Sequence, residues 1–227
     1  MNDISLIIPA KNESNALPIV LEELQKKKIE VDILIIIEKN DIKTLEAAKK
    51  YKCKIIFQTN KGYGNAIIEG IKNVNTKYSC IFYADGSTDP VYVEKMFQKL
   101  KTLNLDLVFG SRYEKDGYSH DDNLITKIGN FGFTFLGNFF MKLNITDLLF
   151  TYIFAKTKIL KKMNLEQNNY NLCVEIPFKA KVMRLNYSTI PCIERKRFAD
   201  KKKVKAFSDG LKILSYFILK YLNIINR

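Results

Sequence analysis

The chain has 227 residues, 47% of them hydrophobic, with 12 Tyr and 15 Phe, so it is long and apolar enough for one domain with a real core, and disorder is excluded. A single His rules out a multi-histidine metal site, and the four Cys (53, 80, 173 and 192) never form a Cys-x-x-Cys pair, so neither a zinc knuckle nor a disulfide scaffold is expected. The net charge of +13 is uneven: residues 1–150 hold 20 basic and 19 acidic groups, residues 151–227 hold 17 and 5, so any attraction to a polyanion belongs to the last third.

The chain enters an apolar run directly after Met1-Asn2-Asp3, with no basic region before it, so no signal peptide is expected and the expected location is cytoplasmic. Ile4–Ile8, Val31–Ile37, Lys54–Phe57, Cys80–Tyr83 and Leu105–Phe109 read as short buried strands. Helical patterns fill the gaps: Ser14–Lys27, Ile42–Tyr51, Gly64–Val74 and Pro90–Leu103. Ser14 and Asp41 sit where helix N-caps belong, and Asp89 caps a helix beginning at Pro90. This alternation predicts βαβ units, an α/β fold with a Rossmann-like, mostly parallel sheet and helices on both faces. After Arg112 the pattern weakens. Lys115–Asn123 reads as a mobile polar loop in which His120 is solvated, and Leu124–Leu143 as a Phe-rich helix of the core, with a lipid groove as the other reading. Thr151–Ala155 reads as a strand, Asn171–Arg184 as a helix and Tyr187–Ile190 as a last strand.

Seven cations lie within Arg195–Lys205, immediately before the amphipathic stretch Ala206–Arg227. Its stripe includes Phe207, Leu211, Leu214, Phe217, Ile218, Tyr221 and Ile225, but Lys212 and Lys220 interrupt it, so it is too short to span a bilayer. Two readings stay open: an in-plane membrane helix beside a basic loop, or a helix packed on the core or on a second copy.

In open α/β sheets ligands bind at the carboxyl ends of the strands. Here those ends carry Pro9-Ala10-Lys11-Asn12-Glu13, Glu38, Asn60-Lys61-Gly62-Tyr63-Gly64-Asn65, Ala84-Asp85-Gly86-Ser87 and Gly110-Ser111-Arg112. Gly62 and Gly64 would let backbone amides approach an anion at a helix start, or form only a tight turn. Asp85 and Ser87 offer the hard oxygens that suit a divalent cation shared with phosphates, or form a capped turn. Arg112 is a candidate diphosphate clamp, or a surface Arg.

Together these motifs resemble the family-2 glycosyltransferases of GT-A fold, and within them the dolichyl/polyprenyl-phosphate sugar synthases. The likeness rests on Ile7-Ile8-Pro9-Ala10-Lys11-Asn12-Glu13, Asn60–Ala66 with Gly70, Ala84–Pro90 and Gly110–Tyr113, followed in order by Asp147, Glu175 and Arg197. It departs from the family where Tyr83 replaces the first metal-motif Asp, where only Glu38 remains of an acidic pair, and where Phe150-Thr151 replaces Ser-Gly. The resemblance implies one glycosyltransferase domain: residues 1–112 for the nucleotide-sugar, 113–205 for the acceptor and 206–227 as the amphipathic helix. It implies inverting transfer from a nucleoside-diphosphate sugar. Pro9, Ala10, Asn12, Glu13, Glu38, Lys61, Gly62, Asn65, Ala84 and Asp85 would hold the nucleotide. Asp85 and Ser87 would hold Mg2+ or Mn2+, and Arg112, Arg197 and Lys203 would receive the acceptor phosphate. Asp85, Asp147, Arg112 and Arg197 would be catalytic, with Asp147 the base if the acceptor is a hydroxyl. The acceptor implied is polyprenyl phosphate, or alternatively a surface polysaccharide or lipid-linked glycan. A degenerate, non-catalytic nucleotide-sugar binder is the further alternative, motivated by Tyr83. Nucleic acid is not expected, because the cations adjoin an apolar helix and no nucleic-acid motif accompanies them.

Overall fold

The computed structural model describes residues 3–199 and 206–225, so Lys203, and with it the lysine run before the last helix, lies outside the described residues. The first half alternates as expected: β1 (Ile4–Ala10), α1 (Ala16–Lys26), β2 (Asp32–Ile37), α2 (Ile42–Ala48), β3 (Lys54–Phe57), α3 (Tyr63–Asn73), β4 (Tyr78–Ile81), α4 (Val91–Thr102) and β5 (Leu107–Ser111). The second half holds β6 (Tyr118–Ser119), α5 (Leu124–Met141), β7 (Ile153–Lys156), α6 (Thr157–Lys162), α7 (Leu172–Val182), β8 (Tyr187–Pro191), β9 (Ile193–Glu194) and α8 (Ala206–Ile225).

Seven strands form one sheet in the order β3-β2-β1-β4-β7-β5-β8. Every neighbouring pair is parallel except those of β7, which runs antiparallel between β4 and β5. Residues 1–112 and 113–205 therefore share one sheet. Near-continuous apolar runs such as Leu34–Ile37, all buried, show why: a strand covered on both faces needs apolar residues at both parities. One face packs under α1, α2 and α4 through Leu17, Leu21, Ala48 and Met96. The other packs under α3, α6, α7 and α8 through Ile67, Leu160, Ile176 and Phe217.

Local signals held at several joints. Asp41 accepts the Thr44 amide at 3.3 Å and caps α2, and Asp89 accepts the Val91 amide at 2.9 Å at the start of α4. Ser14 does not cap α1; the helix begins at Ala16, behind Asn15, whose side chain makes no capping bond. The polar stretch before α5 is not a free loop. Tyr118 and Ser119 pair in parallel with Ile193 and Glu194, and Asn123 and Thr126 close a reciprocal capping box at the start of α5.

Two helices depart from the simplest reading of their patterns. On α5 only Thr134, Gly137 and Met141 are buried, while Ile125 is 75% and Phe139 65% exposed, so its apolar stripe faces outward rather than into the core. On α8 one side packs on the core, where Ile213, Tyr216 and Phe217 are buried, and the other carries the exposed Phe207, Leu211 and Leu219.

Candidate active site

The carboxyl ends of β1, β2, β4 and β5 open into one cavity of about 650 Å³. Of the residues expected there, Pro9, Ala10, Glu13, Glu38, Gly62, Ala84, Asp85, Arg112 and Arg197 line it. Asn12, Lys61, Asn65, Ser87 and Asp147 do not. Each of those with described partners supports a neighbour. The Asn12 amide donates to Asp41 Oδ2 at 2.6 Å, tying the β1 loop to the cap of α2. Asn65 Oδ1 accepts the Asn60 amide at 3.1 Å and closes the turn before α3.

Asp85 is held rather than free. Its Oδ1 accepts from the Ser87 amide at 3.0 Å and from Ser87 Oγ at 2.7 Å. Ser87 is 2% exposed, and both its bonds orient the carboxylate. The other oxygen, Oδ2, faces Arg197 Nη2 at 3.3 Å, and the same nitrogen lies 3.5 Å from Asp121. Burial works against the charge on Arg197, but Asp85 and Asp121 outweigh it and raise its pKa above the ordinary value. A cation is therefore already accepted at this carboxylate. Among the described residues no group of three or more His, Cys, Asp or Glu is placed to hold a metal. A divalent ion at Asp85 fits only as one shared with substrate oxygens, the mode usual for Mg2+ with phosphates.

Arg197 owes its position to a clasp. The Arg195 guanidinium forks onto Glu23 at 2.8 and 3.0 Å and also donates to the Gly86 and Thr88 carbonyls. The Arg195 and Phe198 amides donate to Ser87 and Asp85 carbonyls, both at 2.8 Å. Gly86, at φ +83°, lets the Phe198 ring lie against the turn; a Cβ there would come within 2.3 Å of it.

The glycine turn before α3 borders the cavity at Gly62 and packs its other side against the chain's own backbone. A Cβ on Gly62 or Gly64 would come within 2.1 Å of the Asn168 carbonyl oxygen or 2.0 Å of that of Gln167, and the Asn65 amide already donates to Asn168 at 3.1 Å. Glycine is needed because the chain's own 167–169 backbone lies there. That segment is in turn fixed through Glu175, a fully buried carboxylate that accepts from the N–H groups of Gln167 and of Glu166 just before it.

Arg112 borders the cavity but its guanidinium is committed. It forks onto Asp147 at 2.7 and 3.0 Å, reaches Glu194 at 3.3 Å and lies over the Phe150 ring at 4.8 Å. Burial would depress its pKa, but Asp147 more than offsets this and holds it well above the ordinary arginine value. Asp147 is 1% exposed, so the carboxylate read as a candidate base is enclosed in an ion pair. Burial raises the pKa of Glu194, with Arg112 pulling the other way.

Several site features were not read from the sequence. The Tyr83 hydroxyl is held by Thr151: it lies 2.9 Å from Thr151 Oγ1 and accepts the Thr151 amide at 3.0 Å. Tyr63 reaches the same Thr151 hydroxyl at 2.5 Å and stacks on Tyr170 at 5.1 Å. The two departures Tyr83 and Thr151 thus meet each other, 68 residues apart, in one hydrogen-bonded wall. Thr126 and Asn130 of α5 and Ser208, Asp209 and Lys212 of α8 complete the lining. Only their spacing, polar positions interrupting apolar helices, could have marked them.

The family model described as Glycosyl transferase family 2 matches residues 5–163. An uncharacterised protein of Methanocaldococcus jannaschii is 30% identical over 201 residues, 84% of this chain and 80% of that protein. The UDP-N-acetylglucosamine–dolichyl-phosphate N-acetylglucosaminyltransferase of Methanococcus voltae is 27% identical over 83% of this chain and 84% of its own length. The dolichol-phosphate mannosyltransferase of Pyrococcus furiosus is 23% identical over 99% of this chain, a match that spans 66% of that enzyme. Among solved structures, glucosyl-3-phosphoglycerate synthase from Mycobacterium tuberculosis, in complex with Mn2+, uridine diphosphate and glucosyl-3-phosphoglycerate, matches with a TM-score of 0.77. The match covers 97% of this chain and 80% of that one at 13% identity, and the fold they share is the GT-A fold.

Proposed function

The chain belongs to glycosyl transferase family 2, and from that premise we propose that it moves a sugar, with inversion, from a nucleoside-diphosphate donor to a polyprenyl phosphate or another membrane-linked acceptor. The observation that carries the reading is the Asp85–Arg197 pair, set where the ends of β1, β2 and β4 meet in one cavity. The two dolichyl-phosphate transferases among the relatives support the acceptor class.

Glu13 and Glu38, at the ends of β1 and β2, would hold the nucleoside; Lys11 steadies Glu38 at 2.7 Å. A Mg2+ or Mn2+ ion held by Asp85 Oδ2 and donor oxygens would neutralise the departing diphosphate. Arg197, displaced from Asp85, would then turn its charge to the same leaving group. An acceptor phosphate oxygen attacks the anomeric carbon, the bond from that carbon to the donor diphosphate breaks, and the nucleoside diphosphate leaves with the electron pair. No proton moves, because a lipid phosphate is already anionic at neutral pH. A hydroxyl acceptor would instead need a base, and Asp147 is occupied by Arg112. This favours the phosphate acceptor over a glycan hydroxyl. The basic loop and α8 would hold the protein at a membrane surface; among the described residues no helix is long and apolar enough to cross one.

The test is incubation of purified protein with labelled UDP-, GDP- and CDP-sugars, undecaprenyl phosphate and Mg2+ or Mn2+. A lipid-linked product that disappears in Asp85→Asn is expected. Donor binding without product from any donor would leave the non-catalytic binder instead.

A further inference from the structure

Gln58 follows the last residue of β3 and lines the cavity, as does Glu38, which follows the last residue of β2. The two strands run parallel with Ile37 opposite Phe57, and the Gln58 amide donates to the Ile37 carbonyl at 3.1 Å. The register therefore sets Glu38 and Gln58 next to each other at the edge of the sheet. Gln58 is 8% exposed, and its Nε2 donates to the Asn60 carbonyl at 2.6 Å. That bond fixes the side-chain amide: the nitrogen faces the turn, and Oε1 is left as an acceptor. Glu38 is an acceptor as well, with Oε1 on the Lys11 ammonium at 2.7 Å.

Several donors of this edge are already spent. The Asn12 amide goes to Asp41 at 2.6 Å, that of Glu13 to Thr44 Oγ1 at 3.0 Å and that of Asn60 to Asn65 Oδ1 at 3.1 Å. The edge thus presents two neighbouring acceptors together with the Lys11 cation, whose side chain is 54% exposed. Nucleobases differ in what such an edge can satisfy. Uracil sets one donor between two acceptors, cytosine one amino group beside two acceptors, and adenine one amino group beside one acceptor. Guanine carries two adjacent donors, N1–H and the 2-amino group, beside a single acceptor, O6.

We propose that the donor nucleotide is a guanosine diphosphate and that Gln58 selects it. Glu38 accepts the N1–H, Gln58 Oε1 accepts from the 2-amino group, and Lys11 donates to O6. The inference rests on the nucleotide-sugar reading above. It goes further by naming the base and by giving a specificity role to Gln58, which none of the sequence motifs included. A pyrimidine in the same place would set a carbonyl oxygen against these acceptors and leave one of them buried and unpaired. A site built for hydrogen bonds rejects an analogue in this way. Gln58 touches no reacting atom; it acts on the choice of donor.

Isothermal titration of the whole chain with GDP, inosine diphosphate, UDP and CDP, each with Mg2+, tests this. Inosine diphosphate keeps N1–H and O6 and lacks the 2-amino group. Wild type is expected to bind GDP about tenfold more tightly than inosine diphosphate, because one buried acceptor loses its partner. The margin over UDP and CDP should be at least about tenfold. In Gln58→Leu the ratio of GDP to inosine diphosphate affinity should fall to within about twofold of one, whatever loss of the Asn60 bond does to both affinities. A merely structural role for Gln58 would leave that ratio unmoved. Equal binding of GDP and inosine diphosphate by wild type overturns the role of Gln58 without any variant, and so does a ratio that Gln58→Leu does not change. UDP or CDP bound more tightly than GDP overturns the base and leaves the transferase reading standing. Binding of none of these nucleotides refutes the nucleotide-sugar reading itself, and the base with it.

Discussion

Replacing Asp147 by Asn separates two accounts of this residue. As a general base it would matter to turnover alone. As the partner of Arg112 it matters to the fold, because Asn leaves a guanidinium 8% exposed with its bidentate partner gone. Losing one member of a buried pair costs about 3–5 kcal/mol. Glu194 at 3.3 Å and the Asp122 carboxylate at 3.8 Å remain, which puts the cost near the lower end, roughly 3 kcal/mol. In a chain of this size each kcal/mol moves the melting temperature by about 2–4 °C, so a fall of roughly 6–12 °C is expected. Urea unfolding should show the same loss with an unchanged slope. The double variant Arg112→Leu/Asp147→Leu should fall at least as far, because it also leaves the buried Glu194 and Asp122 carboxylates without Arg112. The assay is calorimetry of the two variants beside wild type, with donor-dependent turnover measured below the lowest melting range. An unshifted melting temperature combined with lost turnover would refute the ion-pair account and return Asp147 to the role of base.

Arg197→Gln should tighten Mn2+ binding, measured with a saturating nucleoside diphosphate present to supply the shared oxygens, by about 3–10-fold, since a charge competing for Asp85 is removed, while it slows sugar transfer; weaker Mn2+ binding, read by electron paramagnetic resonance, would contradict the exchange of cations at Asp85. Gly62→Ala combines a φ of +120° with a Cβ set 2.1 Å from the Asn168 carbonyl oxygen. A loss of about 2–4 kcal/mol in urea unfolding is expected, and a neutral result would show that loop 167–169 does not cover the turn. Burial works against ionisation of Glu23 and Asp89, but Arg195, Lys27 and the Val91 amide outweigh it, and both pKa values lie below the ordinary ones. Their contribution is therefore full above the unfolded values near 4.5 and 3.8 and is lost as pH falls through the lower folded ones. Wild type should lose more stability than Arg195→Ala between about pH 6 and 3.5; equal losses would detach the clasp from acid sensitivity.

Much of the site was legible because its signals are local. A buried strand needs a run of apolar residues, and polar residues immediately after it, as at Pro9–Glu13, Glu38 and Ala84–Asp85, must emerge at the strand's end. The capping Asp41 and the helical period of α5 are local in the same sense. Period alone, however, tells that α5 has an apolar side and not what covers it, so the helix expected in the core leaves that side largely exposed. The insertion of β7 between β4 and β5, against the direction of both, depends on pairing across the chain that no local pattern encodes. The same holds for Arg112 with Asp147, 35 residues on, for Tyr83 with Thr151, and for the 167–169 backbone that fills the space above Gly62 and Gly64. Residue type and spacing fixed which groups stand at the edge of the sheet, because the chain itself carries that order. Which of them face the cavity, and which are spent holding one another, was decided only by packing, where a charge or a carbonyl from a distant segment takes the place a ligand would have had.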